Sequence, residues 1–204
     1  MSDGGADREV QAHFDQRAAR YDEWWLGTGA FADRERPGWS AEVEQLIGVI
    51  EALPPAEVLD VACGTGFLTQ HLRGDVVALD RSGPMTKLAA TRMPNAGVIQ
   101  GAAVPLPFGD GEFDRVFTSH FLHHLRPDQR GAFVAEARRV GAELVVVEGV
   151  RMPEAPQEEW LESTGSDGAT QHHYKRSFTA AELAEELGDA RVLHEGRWFT
   201  VVAS

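Results

Sequence analysis

The chain of 204 residues has a single cysteine, Cys63, and only two lysines, Lys87 and Lys175. One cysteine cannot close an internal disulfide, which points to a reducing, cytoplasmic setting. Nineteen Lys and Arg stand against 32 Asp and Glu, a formal net charge of −13, and the arginines are dispersed. Nucleic-acid surfaces need clustered cations to meet phosphates, so this composition argues against a nucleic-acid partner. No apolar run approaches the roughly 18 residues of a membrane span, so no membrane partner is expected. Met1 to Arg8 is acidic and polar, unlike a secretory leader. Neither repeats nor low-complexity tracts occur, and the length fits one domain.

What is present is an alternation of strand and helix signals. Residues 1–53 read as helices and turns ending before Pro54-Pro55, with Val43, Leu46, Ile47 and Ile50 at helical spacing. Between 54 and 149 the strand candidates are Glu57 to Val61, Val76 to Asp80, Gly97 to Gln100, Phe113 to Ser119 and Glu143 to Glu148. Such alternation implies a parallel sheet covered on both faces. Residues 150–176 have no clear periodicity and are expected to be irregular. Thr179 to Leu187 then reads as a helix stopped by Gly188, and Arg191 to Glu195 with Arg197 to Ala203 as a closing hairpin.

The richest stretch is Val58-Leu59-Asp60-Val61-Ala62-Cys63-Gly64-Thr65-Gly66-Phe67, followed by a strand ending at Asp80. Gly64 and Gly66 let the main chain turn tightly and approach a ligand. A helix expected from about Phe67 would aim its positive end at that ligand. Asp80, about 20 residues beyond the first strand, is placed to hold the two hydroxyls of a ribose. Asp60 separates two nucleoside cofactors. A dinucleotide would bring its pyrophosphate against that carboxylate, whereas S-adenosylmethionine presents an ammonium, which an acid suits. Cys63 in this turn is read as a small packing side chain.

These residues resemble class I S-adenosylmethionine-dependent methyltransferases, in their small-molecule branch. Asp60-x-Ala62-x-Gly64-x-Gly66 is similar to the family's acidic-glycine signature, with Ala62 in place of its first glycine. Gln100 to Phe108 resembles the segment that packs on adenine, and Phe113 to His120 the fourth strand and its outlet. Phe14-Asp15 and Tyr21-Asp22 resemble the N-terminal lid signature. The resemblance implies a Rossmann-like, doubly wound α/β fold, with a mostly parallel seven-stranded sheet, an antiparallel last strand and a helical lid. Within it, 1–53 would be the lid, 54–149 the cofactor-binding core, 150–176 a substrate-facing insert and 177–204 the closing helix and hairpin. It also implies cofactor contacts from Tyr21, Asp60, Ala62, Cys63, Gly64, Gly66, Asp80, Arg81, Ala102, Ala103 and Ser119. Where the family often carries an aspartate for the adenine amino group, this chain has Ala102. Losing that hydrogen bond costs roughly 0.5–1.5 kcal/mol net, and backbone groups at Ala102 and Ala103 can still reach the ring edge.

Catalytic candidates lie near the outlet of the fourth strand. His120 could act as a general base toward an acceptor hydroxyl, with Tyr21 as the second candidate. His123 and His124 belong to a Leu-His-His-Leu turn and are read as structural. A second pair, His172-His173, could with His120 and Glu148 approach a metal ion, but no spacing fixes such a site and none is assigned. Tyr21, Trp24, Trp25, Phe31 and Trp39 are dense for a polar N-terminal region, and aromatic faces attract a sulfonium by roughly 0.5–2 kcal/mol. The expected activity is methyl transfer to a small-molecule acceptor by in-line displacement. Two rivals are a cofactor-binding module or cyclase without methyl transfer, and a nicotinamide oxidoreductase. The second wants a Tyr-x-x-x-Lys pair, whereas Tyr174 and Lys175 are adjacent.

Overall fold

In the computed structural model, residues 4–164, 170–188 and 190–204 are described, with side chains from 11–162, 173–188 and 190–204. Nine strands occur among them: β1 Ala56–Val61, β2 Gly74–Asp80, β3 Gly97–Gln100, β4 Phe113–Ser119, β5 Gly141–Gly149, β6 Glu158–Thr164, β7 Thr170–Arg176, β8 Arg191–Glu195 and β9 Phe199–Ala203. The main sheet runs β3-β2-β1-β4-β5-β9-β8. Its first five strands are parallel, and β9 joins β5 antiparallel. Six helices accompany them: α1 Gly4–Arg17, α2 Glu23–Leu26, α3 Trp39–Glu51, α4 Gly83–Arg92, α5 Pro127–Val140 and α6 Ala180–Glu186.

The two-residue period of the strands builds two apolar layers. Leu59, Val61, Val116, Leu144 and Val146 pack against Phe133, Ala137 and Val140 of α5 and Leu183 of α6. Val58, Phe117, Val145 and Val147 pack against Leu46 and Ile50 of α3. Helix starts are set locally. Ser82 accepts the Met85 N–H at 3.3 Å before α4, and Thr179 with Glu182 forms a reciprocal capping box before α6. Strand order reverses between β1 and β4, so the loops leaving their carboxyl ends diverge and open a crevice there.

Two expectations are corrected. No α-helix begins near Phe67; the chain makes one 3₁₀ turn, Thr69–His71, and then enters β2. Residues 62–73 separate β1 from β2, and the chain spends them on the glycine bend and that single turn. A ligand at the glycine turn therefore meets local backbone groups and side chains, not the end of a long helix. The insert at 150–176 is also not irregular throughout. β6 and β7 pair antiparallel from Glu158↔Arg176 to Thr164↔Thr170 as a separate hairpin. Cross-strand Glu158–Arg176 and Glu159–Lys175 pairs and the Trp160–Tyr174 ring contact join its strands. The His172 side chain lies outside the described ones.

No helix among the described residues is long and apolar enough to cross a membrane.

Candidate cofactor and acceptor site

The loop leaving β1 is bent by three residues with positive φ, Ala62 at 60°, Gly64 at 55° and Gly66 at 75°. The left-handed region costs an L-residue about 1–2 kcal/mol, so Ala62 is held there by its surroundings. The Cys63 N–H donates to Leu79 O at 3.1 Å, and the Gly66 N–H to Cys63 O at 2.9 Å. Gly66 gives the loop its approach to α4: a Cβ there would stand 2.8 Å from Met93 Cε. Asp80 joins the two loops, accepting the Gly64 N–H on Oδ2 and the Ser82 N–H on Oδ1, both at 2.8 Å. Each oxygen retains a lone pair for a ligand hydroxyl. Burial raises the Asp80 carboxyl above its ordinary value, against the pull of those backbone hydrogen bonds.

Asp60 lies at the end of β1, 2% exposed. Its Oδ2 accepts the Thr69 hydroxyl at 2.5 Å, while Oδ1 is buried with no hydrogen-bond partner. Burial pushes this carboxyl up to about 8; the Thr69 hydrogen bond opposes the rise and the Asp80 charge adds to it. An unmatched buried carboxylate oxygen costs free energy until a donor reaches it. It belongs to a narrow cleft lined also by Tyr21, Cys63, Gly64, Ser119 and His120. A cationic N–H donor matches that oxygen, as the ammonium of S-adenosylmethionine would. Burial, with the Asp60 and Asp80 charges, pushes the Cys63 thiol far up, so it serves as packing and not as a nucleophile.

The N-terminal segment covers this cleft. Tyr21 Cε1 comes within 3.7 Å of where a Gly64 Cβ would stand, and burial first, then the Asp80 charge, raises its hydroxyl to about 12. The Trp25 ring stacks on Phe67 with centroids 5.1 Å apart. Thr65 donates its hydroxyl to Asp22 Oδ1 at 2.5 Å, and Arg92 pairs with Asp22 while donating to Thr65 O at 2.8 Å. Sequence reasoning quoted Asp22 and Thr65 in separate motifs but missed their contact and gave Arg92 no part. No local signal links residues 70 positions apart.

His120 has φ 53° and a ring packed edgewise against both Trp24 and Trp25, at 4.8 and 5.0 Å between centroids. Its Nδ1 lies 3.0 Å from Ser119 Oγ, and its buried Nε2 has no partner. Burial lowers its pKa to about 4 although Glu148 works the other way, so the ring is neutral at pH 7. His123 is held differently. Its Nδ1 lies 2.7 Å from Glu148 Oε2, and its backbone N–H donates to Oε1 at 3.1 Å. Burial would raise Glu148, yet the His123 charge and hydrogen bonds hold it below its ordinary value. Glu148 had been noted only as a remote metal candidate; the end of β5 brings it against the histidine turn.

A cavity of about 330 Å³ opens beside these groups, between α1, the histidine turn, the end of β5 and β7. It shares Tyr21 and His120 with the Asp60 cleft. Five of the anticipated cofactor residues line neither space: Gly66 and Asp80, which hold the loop from behind, and Arg81, Ala102 and Ala103. Arg81 is engaged with Gln11 of α1, Ala102 is exposed, and Ala103 packs against the core.

A family model described as a methyltransferase domain matches residues 59–143. A demethylmenaquinone methyltransferase of Beutenbergia cavernae is 31% identical over 205 residues, covering 93% of this chain and 82% of that one. The chain belongs to the class I S-adenosylmethionine-dependent methyltransferases. An uncharacterized methyltransferase of Synechocystis sp. is 41% identical over 90 residues, 43% of this methyltransferase and 42% of the relative, so that match spans under half of either chain. Among solved structures, the complex of DhpI with SAH superposes with a TM-score of 0.74 at 24% identity, covering 99% of this chain and 97% of that one. The common architecture is the seven-stranded sheet with its antiparallel strand beside β5. S-adenosylmethionine is the cofactor of the family, and the unmatched Asp60 oxygen agrees with its ammonium.

Proposed function

We propose that this methyltransferase moves the methyl group of S-adenosylmethionine to a small-molecule acceptor held in the 330 Å³ cavity. The observation that carries the reading is the meeting of the two spaces at Tyr21 and His120. In-line displacement requires donor and acceptor to approach one point from opposite sides, and a shared wall at that point supplies the alignment. Alignment alone contributes roughly 7–11 kcal/mol to such reactions.

When bound, S-adenosylmethionine supplies an electrophilic methyl on its sulfonium. Asp60 accepts from the ammonium, and Asp80 from the ribose hydroxyls. Tyr21 and Trp25 exclude water above the cleft. For a hydroxyl acceptor the base in this reading is His123 rather than His120. A buried carboxylate at Nδ1 sets the tautomer with its lone pair on Nε2 and stabilises the imidazolium formed when that nitrogen takes a proton. The neutral His120 ring, packed against two indoles, serves as a wall of the junction.

Incubation of the protein with methyl-labelled S-adenosylmethionine and fractionated metabolite pools tests this. Demethylmenaquinone belongs in that screen because relatives carry it in their names. Label in a low-mass product is the expected result. Cofactor binding with no labelled product in any pool would favour a binding module or cyclase instead.

A further inference from the structure

The acceptor cavity inverts the charge of the molecule that contains it. The chain carries −13, yet the wall of this space bears Arg17, Lys175 and Arg176 and a single carboxylate, Glu148. That carboxylate is already taken by His123 through both of its oxygens. Among the described residues no carboxylate pairs with Arg17, whose Nη1 lies 3.0 Å from His13 Nε2. Among the same residues Lys175 reaches Glu159, loosely at 3.6 Å, and Arg176 bonds Glu158 at 3.2 Å while its buried Nε has no partner among them. His13 and His173 line the same space, with rings 6.0 Å apart. Burial, then the charges of Arg17, His123 and Lys175, hold His173 below its ordinary pKa against the opposing Glu159 carboxylate, so cations outweigh anions around that ring.

Resting on the methyl-transfer reading above, we infer that this cavity takes an acceptor bearing an oxyanion, a carboxylate or a phosphonyl or phosphoryl group, anchored between Arg17 and Lys175. Two sides of the space supply these cations: Arg17 from the last turn of α1, Lys175 from β7. The two residues thus bracket an anion between the N-terminal helix and the hairpin, while the acceptor's reacting end faces the junction at Tyr21 and His120. Guanidinium and ammonium hydrogen bonds to an oxyanion are about twice as strong as neutral ones. Closing on one would neutralise a repulsion built into the ligand-free site. A cavity of about 330 Å³ holds a compact acid of one ring or a short chain.

Calorimetry on the full chain saturated with S-adenosylhomocysteine tests the inference with benzoate, phenylphosphonate and benzamide as probes. Expected is binding of at least one anion tenfold or more tighter than the neutral amide, the tighter of the two naming the oxyanion. Lys175→Met and Arg17→Met should each weaken that anion about tenfold. Lys87→Met, the same charge change on α4, should leave it within twofold. Equal affinity for benzamide and both anions, or unchanged anion affinity in Lys175→Met and Arg17→Met, overturns the inference while leaving methyl transfer standing. Failure of S-adenosylhomocysteine itself to bind overturns both. Both substituted side chains carry solvent-exposed charge, and the wild-type comparison of probes needs no variant at all.

Discussion

Thr65 at the bend of the glycine loop gives its hydroxyl proton to Asp22 of the N-terminal segment at 2.5 Å, and Arg92 of α4 clasps both. Cover and cofactor loop are therefore one hydrogen-bonded unit. The Arg92 and Asp22 side chains are about a quarter exposed, so the network should contribute on the order of 1–2 kcal/mol. Asp22→Asn is expected to speed hydrogen exchange through 18–31 and raise the cofactor dissociation rate about tenfold. Exchange mass spectrometry and stopped-flow release measure the two effects. Normal exchange with normal release would assign the contact no closing role.

Asp60 makes the ligand-free chain sensitive to pH. Its folded pKa of about 8 stands above the ordinary 3.8. A carboxyl raised on folding contributes its stability fully below the unfolded value and loses it as pH climbs through the folded one. Thermal melts without cofactor should fall from pH 4 to 8 by more in the wild type than in Asp60→Asn. Parallel curves would show that Asp60 is ionised at neutral pH.

His123 and Glu148 divide one task. With a hydroxyl acceptor, His123→Asn and Glu148→Gln are each expected to lower kcat by roughly 10²–10⁴, the span of general-base catalysis. Cofactor affinity should stay within about threefold. His120→Asn should instead disturb packing among Trp24, Trp25 and Phe199, lowering Tm more than kcat. The reverse ranking returns the base role to His120.

Two glycines predict different severities. A Cβ on Gly74 would meet Ala56 O at 2.1 Å, backbone against backbone, with φ at 109°. On Gly66 the nearest atom is Met93 Cε at 2.8 Å, the mobile tip of a flexible side chain. Gly66→Ala should cost about 1–2 kcal/mol, chiefly from its positive φ. Gly74→Ala should cost more, and its melting temperature should fall further. Equal losses would mean that the β1–β2 entrance relaxes.

The main sheet was legible because its strands are apolar runs closed by glycine, proline or aspartate, and β4 and β5 are buried on both faces. The spacing of Asp60, Gly64 and Asp80 put them at the carboxyl ends of neighbouring strands, where the structure has them. The turn after Gly66 was read as a helix because the glycine pattern carries that association, whereas the chain makes only the 3₁₀ turn Thr69–His71 there. β6 and β7 were missed since Glu158-Glu159 and Lys175-Arg176 pair by charge across strands and show no apolar alternation. Arg92 on Asp22 and Glu148 on His123 are contacts made by topology, with no mark in the local sequence.

Calorimetric titration of S-adenosylmethionine at pH 7, in two buffers of different ionisation enthalpy, probes the cofactor cleft most directly. The wild type should bind at one site and release close to one proton as Asp60 ionises against the incoming ammonium. Asp60→Asn should release none, and both it and Asp80→Asn should bind at least tenfold more weakly. No heat from the wild type, or the same affinity and proton count in all three proteins, would contradict the assignment.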